Sequence, residues 1–370
     1  MNVAAVFVFA GVAAAAGPVT TLEEVFTANE RFRATVTRDA DGGGVGWLDP
    51  AFLDKSIFNY GLTRDPRSML PKVAMAVGER PIEHDLLTYL AARVKARAGR
   101  LHYLEIGVSV LKSFDTQAHF HANASFTAMD IEDPNWQRAG RWGAVATELA
   151  RPSTGMRHRR GRTVDHIYEW SRVPTERPLH AANRVRYVEG DALVPDGWLA
   201  LAARKRALGE PPFNFVLSDG LHTAGALRAE MAALLEHRLL AGSDAAGAGA
   251  GAGASTSSRG GGKTARVLIA WDDCGGLENE KLRKAVEGPL YAQFKAARLG
   301  PTVCYTRVSI PGWIGQGEHE HGCCLLSTFN MREWFKPEHA AAAASSGPAA
   351  AFARQLFKSA TTRMRCEKVE

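Results

Sequence analysis

The stretch LHYLEIG at residues 101–107 decides the fold, because it is a short apolar run that closes on an acid and a glycine. A run of that length and boundary reads as a parallel strand buried on both faces. Upstream, HDLLTYLAARVKARA (84–98) sets Leu87, Leu90, Ala91, Val94 and Ala98 on one helical face and stops at Gly99. Downstream, the strand pattern returns four times: FTAMD (126–130), VRYVEGDA (185–192), FNFVLSDG (213–220) and RVLIAWDD (266–273). Helical patterns lie between them, at Ala224–Leu240 (apolar at Leu227, Met231, Leu234 and Leu235) and at Glu280–Arg298. TVCYTRVSI (302–310) and GCCLLSTF (322–329) flank a Gly-rich polar loop and read as an antiparallel hairpin. This alternation predicts an α/β fold: a doubly wound, mostly parallel seven-stranded sheet with a C-terminal antiparallel hairpin strand and helices on both faces.

In such sheets a ligand sits outside the carboxyl ends of the strands, near the point where the strand order switches. The residues gathered there are Glu105 and Gly107, Asp130, Asp191, Asp219 and His222, and Asp272 with Asp273. Single acids at strand ends are ordinary turn carboxylates. Five in succession point to a ligand.

The ordered blocks LEIGVSVLKSF, FTAMDIE, YVEGDAL, FVLSDGLH and VLIAWDD resemble those of class I S-adenosylmethionine-dependent methyltransferases over residues 83–330. The likeness lies in order and spacing more than in any one block, and the reversed last strand matches it. It implies that Gly107 and Ser109 line the loop at the methionine end, and that Glu105 holds the ligand's ammonium. It implies that Asp130, 23 residues beyond Gly107, takes the ribose hydroxyls. Asp191, with the Ala192 backbone, is then placed to accept from the adenine amino group. Ser109 and Leu111 stand where the family has small residues, usually glycine. Leu111 therefore keeps open a cofactor-free binding or scaffold protein on the same fold.

Methyl transfer is an in-line displacement that needs alignment and a deprotonated nucleophile. Asp219, Asp272 and Asp273 resemble the acidic cation site of small cation-dependent O-methyltransferases, with Asp273 in place of an asparagine. That implies Mg²⁺ or Ca²⁺ as a second cofactor. His222 stands where those enzymes carry a lysine base, and a neutral imidazole oriented by Asp219 would accept a proton near pH 7. Two other readings stay open: His222 as a helix-start residue, and Asp272–Asp273 as a metal-free substrate or capping pair. The function implied is O-methylation of a small or medium-sized acceptor. An RNA methyltransferase holding phosphates with RHRRGR (157–162) is the nucleic-acid alternative.

The 370 residues are 46% apolar and 23% charged, which excludes a wholly disordered chain, a collagen and a polytopic membrane protein. Lys and Arg number 45 against 39 acids, a net +6 compatible with an acidic substrate but not demanding one. The five cysteines form no CxxC pair and read as reduced, mostly buried thiols. Residues 1–18 form an apolar leader, either a targeting segment or a product of general Ala-richness, and no stretch makes a stable membrane span. Residues 19–82 read as an irregular extension with short helical patches such as Leu22–Phe32. The methyltransferase-like domain covers 83–335, with an insert at 133–184 and a disordered loop at 241–264. An Ala-rich tail follows at 336–370, and its segment 340–352 reads as disordered. The donor is an intracellular metabolite, so the expected location is intracellular: cytoplasmic, or organellar if the leader targets. GGGKT (260–264) lacks a preceding strand and its first glycine, and is set aside as a phosphate loop.

Overall fold

β1 (His102–Ile106) runs through the middle of the sheet, parallel to β2 (Ser125–Asp130) on one side and to β6 (Phe215–Ser218) on the other. The computed structural model describes residues 21–41, 80–108, 112–131, 147–150, 166–169, 183–242, 266–274, 279–311 and 320–369. Beyond β2 lies β5 (Arg184–Glu189), and beyond β6 lies β7 (Leu268–Trp271), both parallel to their neighbours. β8 (Thr302–Pro311) and β9 (Glu320–Ser327) form the expected hairpin, with β9 antiparallel to β7. These seven strands lie in the order β5-β2-β1-β6-β7-β9-β8, with the switch between β1 and β6.

The sheet does not stop at seven. It has ten strands: β4 (His166–Glu169) and β3 (Thr147–Ala150) add beyond β5, and β10 (Arg365–Lys368) adds beyond β8. All three pair antiparallel. They are four residues each, too short to carry a periodic signal, and they come from the insert and the tail.

Alternation along β1 divides the interior. Tyr103 faces one hydrophobic cluster, together with Phe126, Phe215 and Leu325. Leu104 and Ile106 face the other, together with Met129, Val216 and Ile269. In chain order the helices are α1 (Leu22–Asp41), α2 (Glu83–Ala98), α3 (Lys112–Phe120), α4 (Pro195–Ala207), α5 (Ala224–Glu236), α6 (Glu280–Ala285), α7 (Tyr291–Ala296), α8 (Pro337–Ala340) and α9 (Pro348–Thr362). α1, α2, α3 and α9 cover the Tyr103 face, and α4, α5, α6 and α7 cover the other. α2 stops at Gly99, which turns left-handed at φ 81° and donates its N–H to the Lys95 carbonyl. A π-helical turn at Val286–Leu290 joins α6 to α7, and Pro289, which has no N–H to give, sits inside it.

Three expectations are corrected. Leu22–Asp41 is one continuous helix, and its Leu22 and Val25 enter the same core as α2. The segment 340–352 is ordered: Gly347 and Pro348 start α9, which buries Ala350, Ala353, Leu356, Phe357 and Ala360 along one face. Alanines in that stripe let the helix lie close to the sheet. Finally, not all the cysteines are thiols. Cys304 and Cys366 face each other across β8 and β10 and are disulfide-bonded, whereas Cys274, Cys323 and Cys324 are free and buried.

The leader, Ser109, Leu111, RHRRGR and loop residues 243–265 lie outside the described residues.

Candidate functional site

A string of contacts crosses the carboxyl ends of the five parallel strands. At the switch point, Gly107 leaves β1 with φ +76°, and its N–H donates to the Met129 carbonyl (2.8 Å). A Cβ there would lie 2.4 Å from Gly220 Cα and 2.6 Å from the Asp219 carbonyl oxygen. Glycine is therefore required by the loop after β6, which presses on it, and not only by a ligand's approach. The Val108 N–H donates to Asp130 Oδ2 (2.8 Å), which fixes the carboxylate at the end of β2. The Gly190 N–H then donates to the Asp130 carbonyl (2.7 Å), tying the β5 end to the β2 end.

Asp191 closes its own turn: Oδ1 accepts from the Leu193 N–H (2.9 Å), and its carbonyl accepts from the Val194 N–H (2.9 Å). The Ala192 carbonyl faces inward and accepts from Trp198 Nε1 (2.9 Å). Three large apolar side chains open to solvent at these strand ends: Ile131 at 46%, Leu193 at 46% and Leu221 at 54% exposure. Single exposed leucines mean little. Ile131 follows Asp130 and Leu193 lies two residues beyond Asp191, and that pairing suits a flat apolar ring carrying polar edges.

Glu105 is buried at the end of β1, and Tyr103 Oη donates to its Oε2 (2.6 Å). The two lie on one face because strand side chains alternate with period two.

The fourth and fifth strand ends carry Asp219, His222, Asp272 and Asp273. His222 stands between two carboxylates: Nδ1 lies 2.7 Å from Asp273 Oδ2, and Nε2 lies 3.3 Å from Asp219 Oδ1. Helix capping falls to the next residue, since Thr223 Oγ1 accepts from the Ala226 N–H (3.1 Å). Burial opposes the charge on His222, but Asp219 and Asp273 outweigh it and raise its pKa to about 10. The two carboxylates thus favour the protonated imidazole. Burial, and next the Asp272 carboxylate, push Asp219 up to about 7, although a third of its side chain stays open to solvent.

Asp272 is buried, and its carboxylate also acts on Asp219. Its neighbour Asp273 adopts a left-handed backbone at φ 58° and donates its N–H to Asp272 Oδ1 (2.6 Å). Among the described residues, the group of three that brings ligand atoms within 4.8 Å of one another is Glu83, Asp272 and Cys323, all buried. Cys323 Sγ donates to Glu83 Oε1 (2.6 Å), and burial followed by the Glu83 charge holds that thiol well above its usual range. Asp219, Asp272 and Asp273 do not gather as one cation set.

Two buried acids escaped the reading of the sequence. Glu83 starts α2, and its partner Cys323 is 240 residues away, so no local signal marks it. Glu230 lies between Leu227 and Met231 on the inward face of α5, accepts from Ser218 Oγ (2.7 Å), and is pushed up to about 7 by burial. An acid on an apolar helical face was a signal the spacing offered.

No protein-family model matches the chain, and a search of curated proteins finds no match. Solved structures do overlay on it weakly. MycE methyltransferase from the mycinamycin biosynthetic pathway, in complex with Mg, SAH and mycinamycin VI, is 12% identical at a TM-score of 0.33, covering 69% of this chain and 53% of that one. An O-methyltransferase from Bacillus cereus in complex with SAH is 11% identical at 0.33, covering 70% and 90%. TrmN from Thermus thermophilus is 12% identical at 0.31, covering 72% and 53%. The chain thus spans about half the length of MycE and TrmN. No role at the site is drawn from overlays this weak.

Proposed function

We propose that the chain is an S-adenosylmethionine-dependent methyltransferase acting on a hydroxyl of a small or medium-sized acceptor. The observation that carries this reading is the line of contacts from Gly190, beside Asp191, through Asp130, Val108, Gly107 and Asp219 to His222 and Asp273, across the switch point of a doubly wound sheet. S-adenosylmethionine would supply an activated methyl group on a sulfonium. In this reading Glu105 holds the ligand's ammonium, Asp130 the ribose hydroxyls and Asp191 the adenine edge, with Ile131 and Leu193 against the ring.

Proton removal falls to Asp219. Unlike buried Asp272 it is partly open to solvent, and a pKa near 7 suits a base at neutral pH. His222 keeps its proton and orients Asp219 from one side while Asp273 braces it from the other. In this reading no step is assigned to Mg²⁺ or Ca²⁺. Titration calorimetry with S-adenosylhomocysteine, followed by methyl transfer to a panel of hydroxylated small molecules, tests the reading. Cofactor binding without transfer to any hydroxyl would confine it to binding.

A further inference from the structure

Tyr103 carries a hydroxyl where packing alone has no use for one. Its ring is fully buried, 5.4 Å from Phe215, 5.6 Å from Phe126 and 6.4 Å from Phe114. A fourth phenylalanine would complete that cluster, and a buried hydroxyl without an acceptor would destabilise it. The acceptor is Glu105 Oε2 at 2.6 Å, a short bond to a carboxylate that is itself 1% exposed.

We propose that Tyr103 is a positioning residue: its phenol fixes the plane of the Glu105 carboxylate so that it meets the ammonium of an amino-acid-bearing ligand. The inference rests on the cofactor reading above and deepens it. The spacing dictates the pair, since residues two apart on a strand share a face and the shorter acid lies within reach of the longer phenol. Strand β1 is central and parallel-paired on both sides, so the backbone of both residues is rigid. Burial, then the Glu105 charge, holds the phenol's pKa well above its usual value, and Asp219 and Glu83 add to this. Tyr103 therefore remains a donor at any pH at which the protein works. Without the hydroxyl, Glu105 loses the hydrogen bond from Tyr103 to Oε2.

The experiment compares two ligands by calorimetry on the full chain. S-adenosylhomocysteine carries the amino-acid arm, whereas 5′-methylthioadenosine is the nucleoside thioether without it. In Tyr103→Phe, affinity for S-adenosylhomocysteine is expected to fall on the order of tenfold, and affinity for methylthioadenosine to stay within about twofold. In a Glu105→Gln background, Tyr103→Phe is expected to add nothing further. Equal S-adenosylhomocysteine affinity in wild type and Tyr103→Phe overturns the proposal. So does a parallel loss of both ligands, or a Tyr103→Phe effect that survives Glu105→Gln. Should Tyr103→Phe not fold, Glu105→Asp draws the carboxylate back from the phenol, and wild-type S-adenosylhomocysteine affinity there overturns the proposal as well. Wild type binding neither ligand removes the cofactor reading itself, a result distinct from a silent Tyr103→Phe.

Discussion

His222, set between Asp273 and Asp219, governs the chemistry available at single side chains. In the function proposed above, a proton held to about pH 10 makes the imidazole an orienting cation, and Asp219 takes the proton. The sign of the pH dependence follows. A base must be unprotonated, so kcat/KM rises with pH and levels off above about 7. An orienting imidazolium must be protonated, so activity falls again as pH passes about 10. These two midpoints belong to the coupled Asp219–His222–Asp273 cluster and not to isolated residues. Asp219→Asn should abolish the acid limb and lower kcat by roughly 10²–10⁴; an unchanged acid limb would clear Asp219. EDTA should leave wild-type turnover intact, and loss of activity restored by Mg²⁺ or Ca²⁺ would reinstate the cation site. Gly107→Ala forces a Cβ to within 2.4 Å of Gly220 Cα, backbone against backbone, and adds a strained φ of +76°. It should destabilise by roughly 3 kcal/mol or more, measurable by urea denaturation.

At the scale of elements, the covering of the Tyr103 face depends on the two ends of the described chain. Phe357 of α9 packs against Tyr89 (5.4 Å) and Phe335 (5.0 Å), and Leu22 and Val25 of α1 join the same cluster. Phe357→Ala should cost about 3–5 kcal/mol, read as a shift in denaturation midpoint at constant slope. A cost under about 1 kcal/mol would mean that α9 is peripheral. The five parallel strands and the hairpin were legible because fully buried strands are continuous apolar runs with hard boundaries. α9 was not, because its stripe is built mostly of alanine, whose small side chain gives little apolar contrast; Gly347 and Pro348 were the stronger signs of its start. The strand-end acids were legible one by one, but their partners were not. Asp273 takes a left-handed backbone, and nothing in the pair Asp-Asp announces that turn.

For the molecule as a whole, the last strand is stapled to the sheet. The Cys304–Cys366 bond spans 62 residues and holds β10 against β8, a constraint of about 2–4 kcal/mol on the unfolded chain. Thiol titration of the denatured, unreduced protein should count three thiols, those of Cys274, Cys323 and Cys324; five would mean that the bond is absent. No helix among the described residues is long and apolar enough to cross a membrane. What the ten-stranded sheet offers is one edge where five parallel strands end in acids around a glycine contact, and in the function proposed above this edge binds an adenosyl sulfonium donor. Titration calorimetry of the full-length protein with S-adenosylhomocysteine tests that most directly. One-to-one binding at or below about 1 mM, with a rise in melting temperature as ligand is added, is the predicted result. A folded protein that gives neither heat nor a thermal shift at saturating ligand would contradict it.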